Sequence, residues 1–364
     1  MALPQRDIAQ RVQRHNFFPE VELAGERYYP LVVDLHLHSN VSDGQLSPEE
    51  RVWEAAEAGL DAVALTDHSR IAGNEPATRL AEQLGLILIP GTEIQFSPYE
   101  ALGHVVVLGL TEPMDTSEDH AALFAEIERQ GAIAFWAHPG QTLKPLAAKA
   151  LEEGKFCGIE VNNEGIDKDS EGVPWGAISR GGIWFYPKSL NWAAHYGVGL
   201  FAVTDMHDPF NDHNWPRCKN VLLVKERSVA GALEAVKAGR CISWFKDQFW
   251  AAMKPEVMGS VLGQWIKVHP LVKDRDWQYL RVQNLTSAWQ RVCIVGGAPR
   301  RGSGDMELPP YETRCVALQP SEPGATLAVQ LTWANGFAPV PEAWTDAFDT
   351  EETARPLFTI NLSC

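Results

Sequence analysis

The strongest constraint on the fold is an alternation of short apolar runs with helical patterns between residues 31 and 249. Strands that alternate with helices are typical of βα units, in which helices cover a parallel sheet. Seven such runs favour a barrel over an open sheet. The predicted strands are residues 31–37, 62–66, 86–89, 104–108, 132–136, 158–161 and 200–203.

The first helix of this region has clear signals at both ends. Ser47 and Glu50 form a capping box, Pro48 occupies the first helical position, and Gly59 can end the helix. Further helices are predicted over residues 75–84, 117–130, 144–153, 188–196 and 229–238.

The pattern changes after Pro255, where strand-like segments alternate with clusters of Gly, Pro, Asn and Asp. We expect no helix there and an exposed loop over residues 297–310. The predicted fold class is therefore α/β: a distorted (β/α)7 TIM-like barrel over residues 1–254, followed by a small all-β sandwich domain over residues 255–364.

Charge and composition exclude several classes of function. The chain has 31 Lys and Arg against 47 Asp and Glu, a net charge of −16, and this disfavours nonspecific nucleic-acid binding. No apolar run approaches the roughly 20 residues of a membrane helix, so no membrane association is expected. The six cysteines lack C-x-x-C spacing, which disfavours a thiolate zinc site. Without an apolar leader segment, the chain as given is expected in the cytoplasm, or in the periplasm or outside the cell if a leader was removed.

Histidines and carboxylates cluster at the ends of the predicted strands, and in βα barrels that rim holds the active site. Because side chains alternate along a strand, His36 and His38 point to one face and can bind one ion together. This arrangement predicts a site for several metal ions. The histidines and carboxylates at these strand ends include His36, His38, Asp43, His68, Glu93, His104, His138, Asp205 and His207, together with Asp34, Asp67 and Glu160.

The motifs that contain most of these residues resemble a known family. D-L-H-L-H-S-N-V-S-D-G, A-L-T-D-H, G-T-E, G-H-V-V-V-L-G-L, W-A-H-P-G and T-D-M-H-D are similar, in this order, to the metal motifs of the PHP (polymerase and histidinol phosphatase) superfamily. R-Y-Y-P-L-V-V-D-L-H-L-H, F-W-A-H-P-G, V-K-E-R-S and G-R-C-I-S-W-F-K-D-Q further resemble the branch typified by the Sb-PDE phosphodiesterase, which has a β domain after its barrel. The resemblance implies a PHP-type barrel.

The resemblance also implies how the ligands are divided. One ion would bind His36, His38, Glu93 and Asp205; a second would bind Glu93, His104 and His138, with Glu93 as the bridge. Asp43, His68 and His207 form a third group, in which trinuclear monoesterases often have a histidine at the position of Asp43. Two to three divalent ions are therefore expected. Mixed imidazole and carboxylate ligands favour Mn(II), with Zn(II) or Fe(II) as alternatives.

The chemistry implied is that of a metal-dependent phosphodiesterase in which a bridging hydroxide attacks a small phosphoester substrate. His68 or His207, held by Asp43, would protonate the leaving oxygen. Lys246 is the preferred phosphate-binding residue, and Asp67 and Glu160 either orient ligands or make ordinary capping bonds. Other candidate cations are Arg70, Lys188, Arg217 and Lys219. Aromatic residues that could line a pocket or fill the core are Trp136, Trp175, Trp184, Phe185, Tyr186, Trp192, Phe210 and Trp215.

Three alternatives remain open at this point. A hydrolase of carboxyl esters, amides or carbamates could use the same ligands, because a fold does not fix a function. A phosphomonoesterase would need the third ion. A noncatalytic metal-binding module is disfavoured because the ligand set is complete. The oligomeric state is not predicted.

Overall fold

A computed structural model describes residues 16–96, 102–114, 120–164, 178–179, 184–210, 218–295, 297–299, 304–319, 327–344 and 352–362. None of the helices in these residues is long and apolar enough to cross a membrane. The helices are α1 (Pro48–Glu57), α2 (Asn74–Leu84), α3 (His120–Arg129), α4 (Pro145–Glu152), α5 (Lys188–Tyr196), α6 (Val229–Lys237) and α7 (Pro255–Gln264), with a 3-10 turn at Pro341–Trp344.

The strands before α7 form one large sheet. They are β1 (Val21–Leu23), β2 (Glu26–Asp34), β3 (Ala62–Leu65), β4 (Ile87–Gln95), β5 (His104–Leu108), β6 (Ile133–Trp136), β7 (Gly158–Asn163), β8 (Ile178–Ser179), β9 (Trp184–Phe185), β10 (Gly199–Val203), β11 (Cys218–Val224), β12 (Cys241–Phe245) and β13 (Gln248–Trp250). All seven predicted strands of this region are found, although β2 begins five residues earlier and β4 ends six residues later than expected. The antiparallel strands β11 and β12, which complete the sheet beside β2, were not predicted.

The local signals at α1 act as predicted. Ser47 accepts a hydrogen bond from the Glu50 amide, and the Glu50 side chain accepts one from the Ser47 amide, so the capping box is complete. The predicted helix over residues 117–130 is found from His120, and its first three residues lie outside the described residues.

The direction of β5 corrects the expectation of a purely parallel sheet. Strands β2, β3 and β4 are parallel, but β5 runs antiparallel to both β4 and β6. In this register His104, the first residue of β5, lies opposite Gln95, the last residue of β4. The beginning of an antiparallel strand therefore reaches the same rim as the ends of its parallel neighbours.

A closed barrel is not confirmed. Strand β10 pairs with β7, but no backbone ladder joins β10 to β11 or β2 in the described part of the chain. Side chains cross the seam along β10, and backbone bonds join it only just beyond the strand, from the Asp205 N–H to the His36 carbonyl oxygen at 2.9 Å and from the His38 N–H to the Met206 carbonyl oxygen at 3.2 Å. The Asn220 amide group donates to the Ala202 carbonyl oxygen at 2.7 Å and accepts from the Ala202 N–H at 3.0 Å, and Thr204 Oγ1 donates to Asp34 Oδ2 at 2.5 Å.

The C-terminal region contains two four-stranded sheets, as expected for a β sandwich. One has the order β14 (Ile266–Asp274), β15 (Trp277–Asn284), β19 (Thr313–Gln319) and β17 (Ala298–Pro299). The other has the order β18 (Asp305–Leu308), β16 (Gln290–Val295), β20 (Leu327–Trp333) and β23 (Leu357–Leu362). The prediction of one loop over residues 297–310 is wrong, because β18 pairs with β16 and buries Leu308.

The expectation that no helix follows Pro255 is also wrong. Helix α7 begins at Pro255, and its two glycines hide the helical period in the sequence. Both glycines are required by packing: a Cβ on Gly259 would lie 2.1 Å from the Leu357 carbonyl oxygen, and a Cβ on Gly263 would lie 2.4 Å from the Phe358 ring.

Contacts cross the predicted domain boundary at residues 254 and 255. Strand β21 (Gly336–Pro339) pairs in parallel with β13 and antiparallel with β22 (Thr353–Ala354), and so extends the large sheet. One apolar cluster contains Phe249 of the first region together with Trp265 and Trp333 of the second. The boundary itself stays a prediction.

Candidate metal centre

The nine predicted ligands come from chain segments that meet at one rim of the large sheet. His36 and His38 follow β2, Glu93 lies in β4, His104 begins β5, and Asp205 follows β10. The other four, Asp43, His68, His138 and His207, lie in connections that leave strands at this rim. Every predicted ligand is therefore brought to the cluster, with His38 and Glu93 at its centre.

The innermost group consists of His36, His38, Glu93 and Asp205, all buried. His36 Nε2 and His38 Nε2 lie 3.0 Å apart, and each lies 3.2 Å from Glu93 Oε2. Asp205 Oδ1 is 2.9 Å from His38 Nε2, yet it is buried without a well-formed hydrogen bond. Ligands at roughly 2.1 Å from an ion lie roughly 3.0–3.4 Å from one another, so these donors fit a divalent cation.

The second group gathers around the other oxygen of Glu93. His104 Nδ1 lies 2.8 Å and His138 Nε2 lies 3.0 Å from Glu93 Oε1. His68 Nδ1 is 3.1 Å from Glu93 Oε2, and His68, Glu93 and His104 together form a set with converging ligand atoms. Glu93 thus contacts both predicted groups, while His68 reaches the second group as well as the third.

The outermost group consists of His38, Asp43, His68 and His207. Asp43 Oδ2 lies 3.4 Å from both His68 Nε2 and His207 Nε2. His207 Nδ1 lies 2.9 Å from the Asp205 carbonyl oxygen, which can only accept, so Nδ1 carries the proton and Nε2 offers its lone pair. The side chain of Asp43 is 53% exposed, so this group opens to solvent.

The loop that presents Asp43 is held by neighbouring polar groups. Asp67 accepts hydrogen bonds from the Ser39 amide, the Ser39 hydroxyl and the Ser42 hydroxyl at 2.7–2.8 Å. A Cβ on Gly44 would lie 2.6 Å from the His38 carbonyl oxygen, so only glycine allows this close approach. Asp67 therefore orients the loop rather than capping a helix.

Glu160 and Asn163 orient the innermost ligands. Glu160 Oε1 lies 2.8 Å from His36 Nδ1, which directs His36 Nε2 toward the centre, and Glu160 Oε2 accepts the His138 N–H at 2.7 Å. Asn163 donates to Asp205 Oδ2 at 2.9 Å. His138 and Asp205 have positive φ angles of 27° and 48°, a conformation that costs energy for residues other than glycine.

The charges of the cluster are balanced internally. Burial lowers the pKa of His38, but the acceptor oxygens and negative charges of Asp205 and Glu93 outweigh that effect and raise it to about 9. Burial raises the pKa of Glu93, but His36 and the other imidazoles hold it well below its usual value. A divalent ion competes with these protons for the same lone pairs, so its uptake is expected to release protons.

The candidate phosphate-binding cations lie in different settings. Lys246 is exposed in the turn between β12 and β13, with a φ of 53°, and the described residues give it no hydrogen bond or ion pair to the cluster. Arg70 is exposed and donates to the Val41 carbonyl oxygen at 2.9 Å, beside the loop of Asp43. Lys219 is buried in β11, where its Nζ lies 4.3 Å from the centre of the Trp244 ring. Lys188 is half-buried at the start of α5, and Arg217 lies outside the described residues.

Most of the candidate pocket aromatics that can be assessed belong to the core. Trp136 and Trp192 are buried and stack with ring centres 6.0 Å apart, and Phe185 and Tyr186 are buried as well. Phe210 is half-buried near Arg51. Trp175, Trp215 and the side chain of Trp184 lie outside the described residues.

Two residues of the site escaped sequence reasoning. Asn163 follows Glu160 by three residues, and nothing in its position distinguishes it from a loop residue. Arg51 lies on the buried face of α1 with its side chain 1% exposed. An arginine among the apolar positions of an amphipathic helix was the available signal.

The comparisons with known proteins agree with this geometry. Residues 34–131 match the family model of the PHP domain. Over 106 residues the chain is 32% identical to the phosphoribosyl 1,2-cyclic phosphate 1,2-diphosphodiesterase of Eggerthella lenta, covering 29% of this chain and 40% of that protein. It is also 39% identical over 101 residues to a 5'-3' exoribonuclease of Haemophilus influenzae, covering 28% of this chain and 34% of that protein. The matches thus span less than half the length of these relatives.

A solved structure shares the fold of nearly the whole chain. It is a two-domain protein from Bacteroides vulgatus that contains a predicted PHP-like metal-dependent phosphoesterase. The TM-score is 0.74 at 23% identity, with 96% of this chain and 99% of that chain covered. The narrower likeness to the Sb-PDE branch stays a prediction. The resemblance to the PHP superfamily is confirmed, and the residues that match the PHP domain model contain six of the nine predicted metal ligands.

Proposed function

We propose that this protein is a metal-dependent phosphoesterase that prefers small phosphodiesters. The observation that carries the proposal is the position of Glu93, whose two oxygens face different ligand groups, as a carboxylate bridging two ions would. When bound, a pair of divalent ions supplies an activated water molecule and neutralises phosphoryl oxygens. Imidazole and carboxylate ligands together suit Mn(II) better than Mg(II) or Ca(II).

Charge balance favours a diester as the substrate. Two divalent ions bring four positive charges, and the carboxylates of Glu93, Asp205 and Asp43 bring three negative ones, which leaves one positive charge. A phosphodiester carries one negative charge and matches this balance. A monoester dianion carries two and exceeds this balance, whereas a further divalent cation would raise the balance to three positive charges and so favour the dianion.

Asp43, His68 and His207 support the departure of the leaving group. Because His207 Nδ1 donates to a backbone carbonyl, its Nε2 is the atom that can hold and release a proton toward the substrate. Asp43 Oδ2, 3.4 Å from the Nε2 atoms of both His68 and His207, stabilises a protonated imidazole there. Lys246 remains the proposed partner of a nonbridging phosphate oxygen.

The substrate preference is tested with two matched aryl esters. We expect kcat/KM for bis(p-nitrophenyl) phosphate to exceed that for p-nitrophenyl phosphate at one Mn(II) concentration. Lys246→Met should weaken turnover of the diester but not of p-nitrophenyl acetate. A preference for the carboxyl ester in the wild-type protein would instead support the alternative ester, amide or carbamate hydrolase.

Glu93→Gln tests the bridge directly. Loss of its charge and of one ligand oxygen should lower kcat/KM by several orders of magnitude, because a positioned ion pair contributes many kcal/mol to phosphoryl transfer. Arg79→Lys, in an exposed ion pair on α2, is the matched control. An active Glu93→Gln protein would contradict the assignment of the bridge.

A phosphomonoesterase is the second candidate, and the outermost ligand group is the observation that favours it. Four converging donors, His38, Asp43, His68 and His207, could hold a third cation that balances a dianionic substrate. Elemental analysis together with the two ester assays separates the candidates: three ions and higher activity on the monoester would support the phosphatase. Since some relatives are exoribonucleases, competition by single-stranded RNA tests the expected absence of nonspecific nucleic-acid binding.

A further inference from the structure

A buried guanidinium lies beneath the rim, outside the ligand set. Arg51 Nε donates to the His38 carbonyl oxygen at 2.7 Å, and its two terminal nitrogens donate to the carbonyl oxygens of His207 at 2.5 Å and Asp208 at 2.8 Å. We propose that Arg51 is a positioning residue that sets the affinity of the outermost ligand group for a divalent cation. This inference rests on the proposed metal-dependent function.

The acceptors of Arg51 explain why we expect its loss to affect mainly the cation affinity of the outermost ligand group. Two of the three carbonyls belong to members of the outermost group: His38, which that group shares with the innermost one, and His207, which belongs to the outermost group alone. The guanidinium is planar and rigid, so its three donors fix these carbonyls relative to one another. The His207 carbonyl oxygen also accepts the Gln45 N–H at 2.8 Å, which connects the same point to the loop of Asp43.

The other ligands depend on different supports. His36 and His138 are held by Glu160, and Asp205 is held by Asn163 and by a bond from its N–H to the His36 carbonyl oxygen at 2.9 Å. Loss of the Arg51 contacts should therefore loosen the outermost group more than the innermost one.

Glu54 allows a positive charge to be buried so close to a cation site. Its Oε2 lies 2.9 Å from Arg51, and its Oε1 accepts the Phe210 N–H at 2.8 Å. The carboxylate neutralises the guanidinium, and the carbonyl oxygens that face Arg51 compensate for its lost hydration. Arg51 can thus act through hydrogen-bond geometry, with little net charge presented to the ions.

The test counts Mn(II) ions per chain by titration, with free Mn(II) measured by electron paramagnetic resonance. We expect two tightly held ions and a third that binds only weakly in the wild-type protein, so that the outermost group is free to hold a proton whenever this third ion is absent. A lysine cannot reproduce the three diverging bonds, so Arg51→Lys should weaken the third ion by about 10-fold or more, the usual effect of losing a residue that orients ligands. The two tight ions should change by no more than about 2-fold.

Glu54→Gln distinguishes an effect of Arg51 on the geometry of the ligands from a general loosening of α1 against the rim. It keeps all three bonds from Arg51 to carbonyl oxygens, so the third ion should be retained within about 3-fold, a small share of the usual effect of such contacts. Equal losses in Glu54→Gln and Arg51→Lys would overturn the inference. Arg79→Lys serves as the exposed control and should leave every class of ion unchanged.

The remaining outcomes are also decisive. An unchanged third ion in Arg51→Lys, or equal weakening of all three ions, would overturn the inference while leaving the proposed function intact. So would a wild-type protein that holds only two ions. A wild-type protein that holds none would contradict the proposed function itself. Arg51→Gln, which keeps one donor group, repeats the comparison; if neither Arg51 variant folds, Arg51 acts on stability and the inference is wrong.

Discussion

The burial of Lys219 gives a prediction about stability whose size follows from the structure. Burial lowers the pKa of Lys219 from 10.5 to about 8, although Glu164, Cys218 and Asp34 oppose the shift. A depression of this size corresponds to about 3 kcal/mol at neutral pH, since one pKa unit is about 1.4 kcal/mol. The Trp244 ring, 4.3 Å from Nζ, offsets about 1 kcal/mol by attracting the cation. We therefore expect Lys219→Met to stabilise the protein by about 2 kcal/mol at pH 7.

The pH dependence has a definite sign. Between pH 8 and 10.5 the unfolded chain holds a proton on Lys219 that the folded chain has lost, so the stability of the wild-type protein rises with pH across this window. Below pH 8 both states are protonated and the cost of burying the charge is constant. Lys219→Met should lack the rise, so the two proteins become equally stable near pH 10.5.

Urea unfolding of both proteins, stripped with EDTA and compared at equal m-values, measures the difference. Lys225→Met is the control, because Lys225 is half-exposed, pairs with Glu26 and should leave the rise above pH 8 intact. A Lys219→Met protein that is less stable at pH 7, or that keeps the rise, would refute the argument from burial.

Two further substitutions test the support of the site and the packing of the C-terminal region. Glu160→Gln weakens the orientation of His36 and His138 and should lower Mn(II) affinity at the tight sites by about 10–100-fold, measured by the same titration, with the exposed Glu153→Gln as control. An unchanged affinity would show that Glu160 does not orient these ligands. Gly259→Ala places a Cβ 2.1 Å from the Leu357 carbonyl oxygen and should destabilise the protein by about 1–3 kcal/mol through overpacking, seen as a lower urea midpoint. An unchanged midpoint would mean that α7 and β23 can separate without cost.

Local sequence patterns predicted the strands and the ligands because these depend on short-range signals. The alternation around His36 and His38 and the capping box at Ser47 are complete within a few residues. The direction of β5 could not be predicted in this way, because parallel and antiparallel strands look alike in a single apolar run. Helix α7 was missed because Gly259 and Gly263 are required by close contacts with Leu357 and Phe358, about 100 positions later in the chain. The role of Arg51 depends on the carbonyl groups of His38 and His207. Because every residue has a backbone carbonyl, a sequence does not show which of them accept hydrogen bonds from Arg51.

At the seam beside β10, the position of the predicted ligand Asp205 depends on the identity of particular side chains, because no backbone ladder joins β10 to β11 or β2 in the described residues. A backbone ladder forms with almost any side chains, whereas the link between Ala202 and Asn220 requires an amide that donates and accepts at once. Asp205 follows β10 by two residues, so the strand that delivers this carboxylate is anchored on that side by the side chains of Asn220 and Asp34, and by a backbone bond only from Asp205 itself to the His36 carbonyl oxygen. Local opening should begin there, and the Ala202 N–H should exchange with solvent faster than its neighbours in β7. The metal centre would then lose its fourth inner ligand through motion of a single strand, long before the sheet as a whole unfolds.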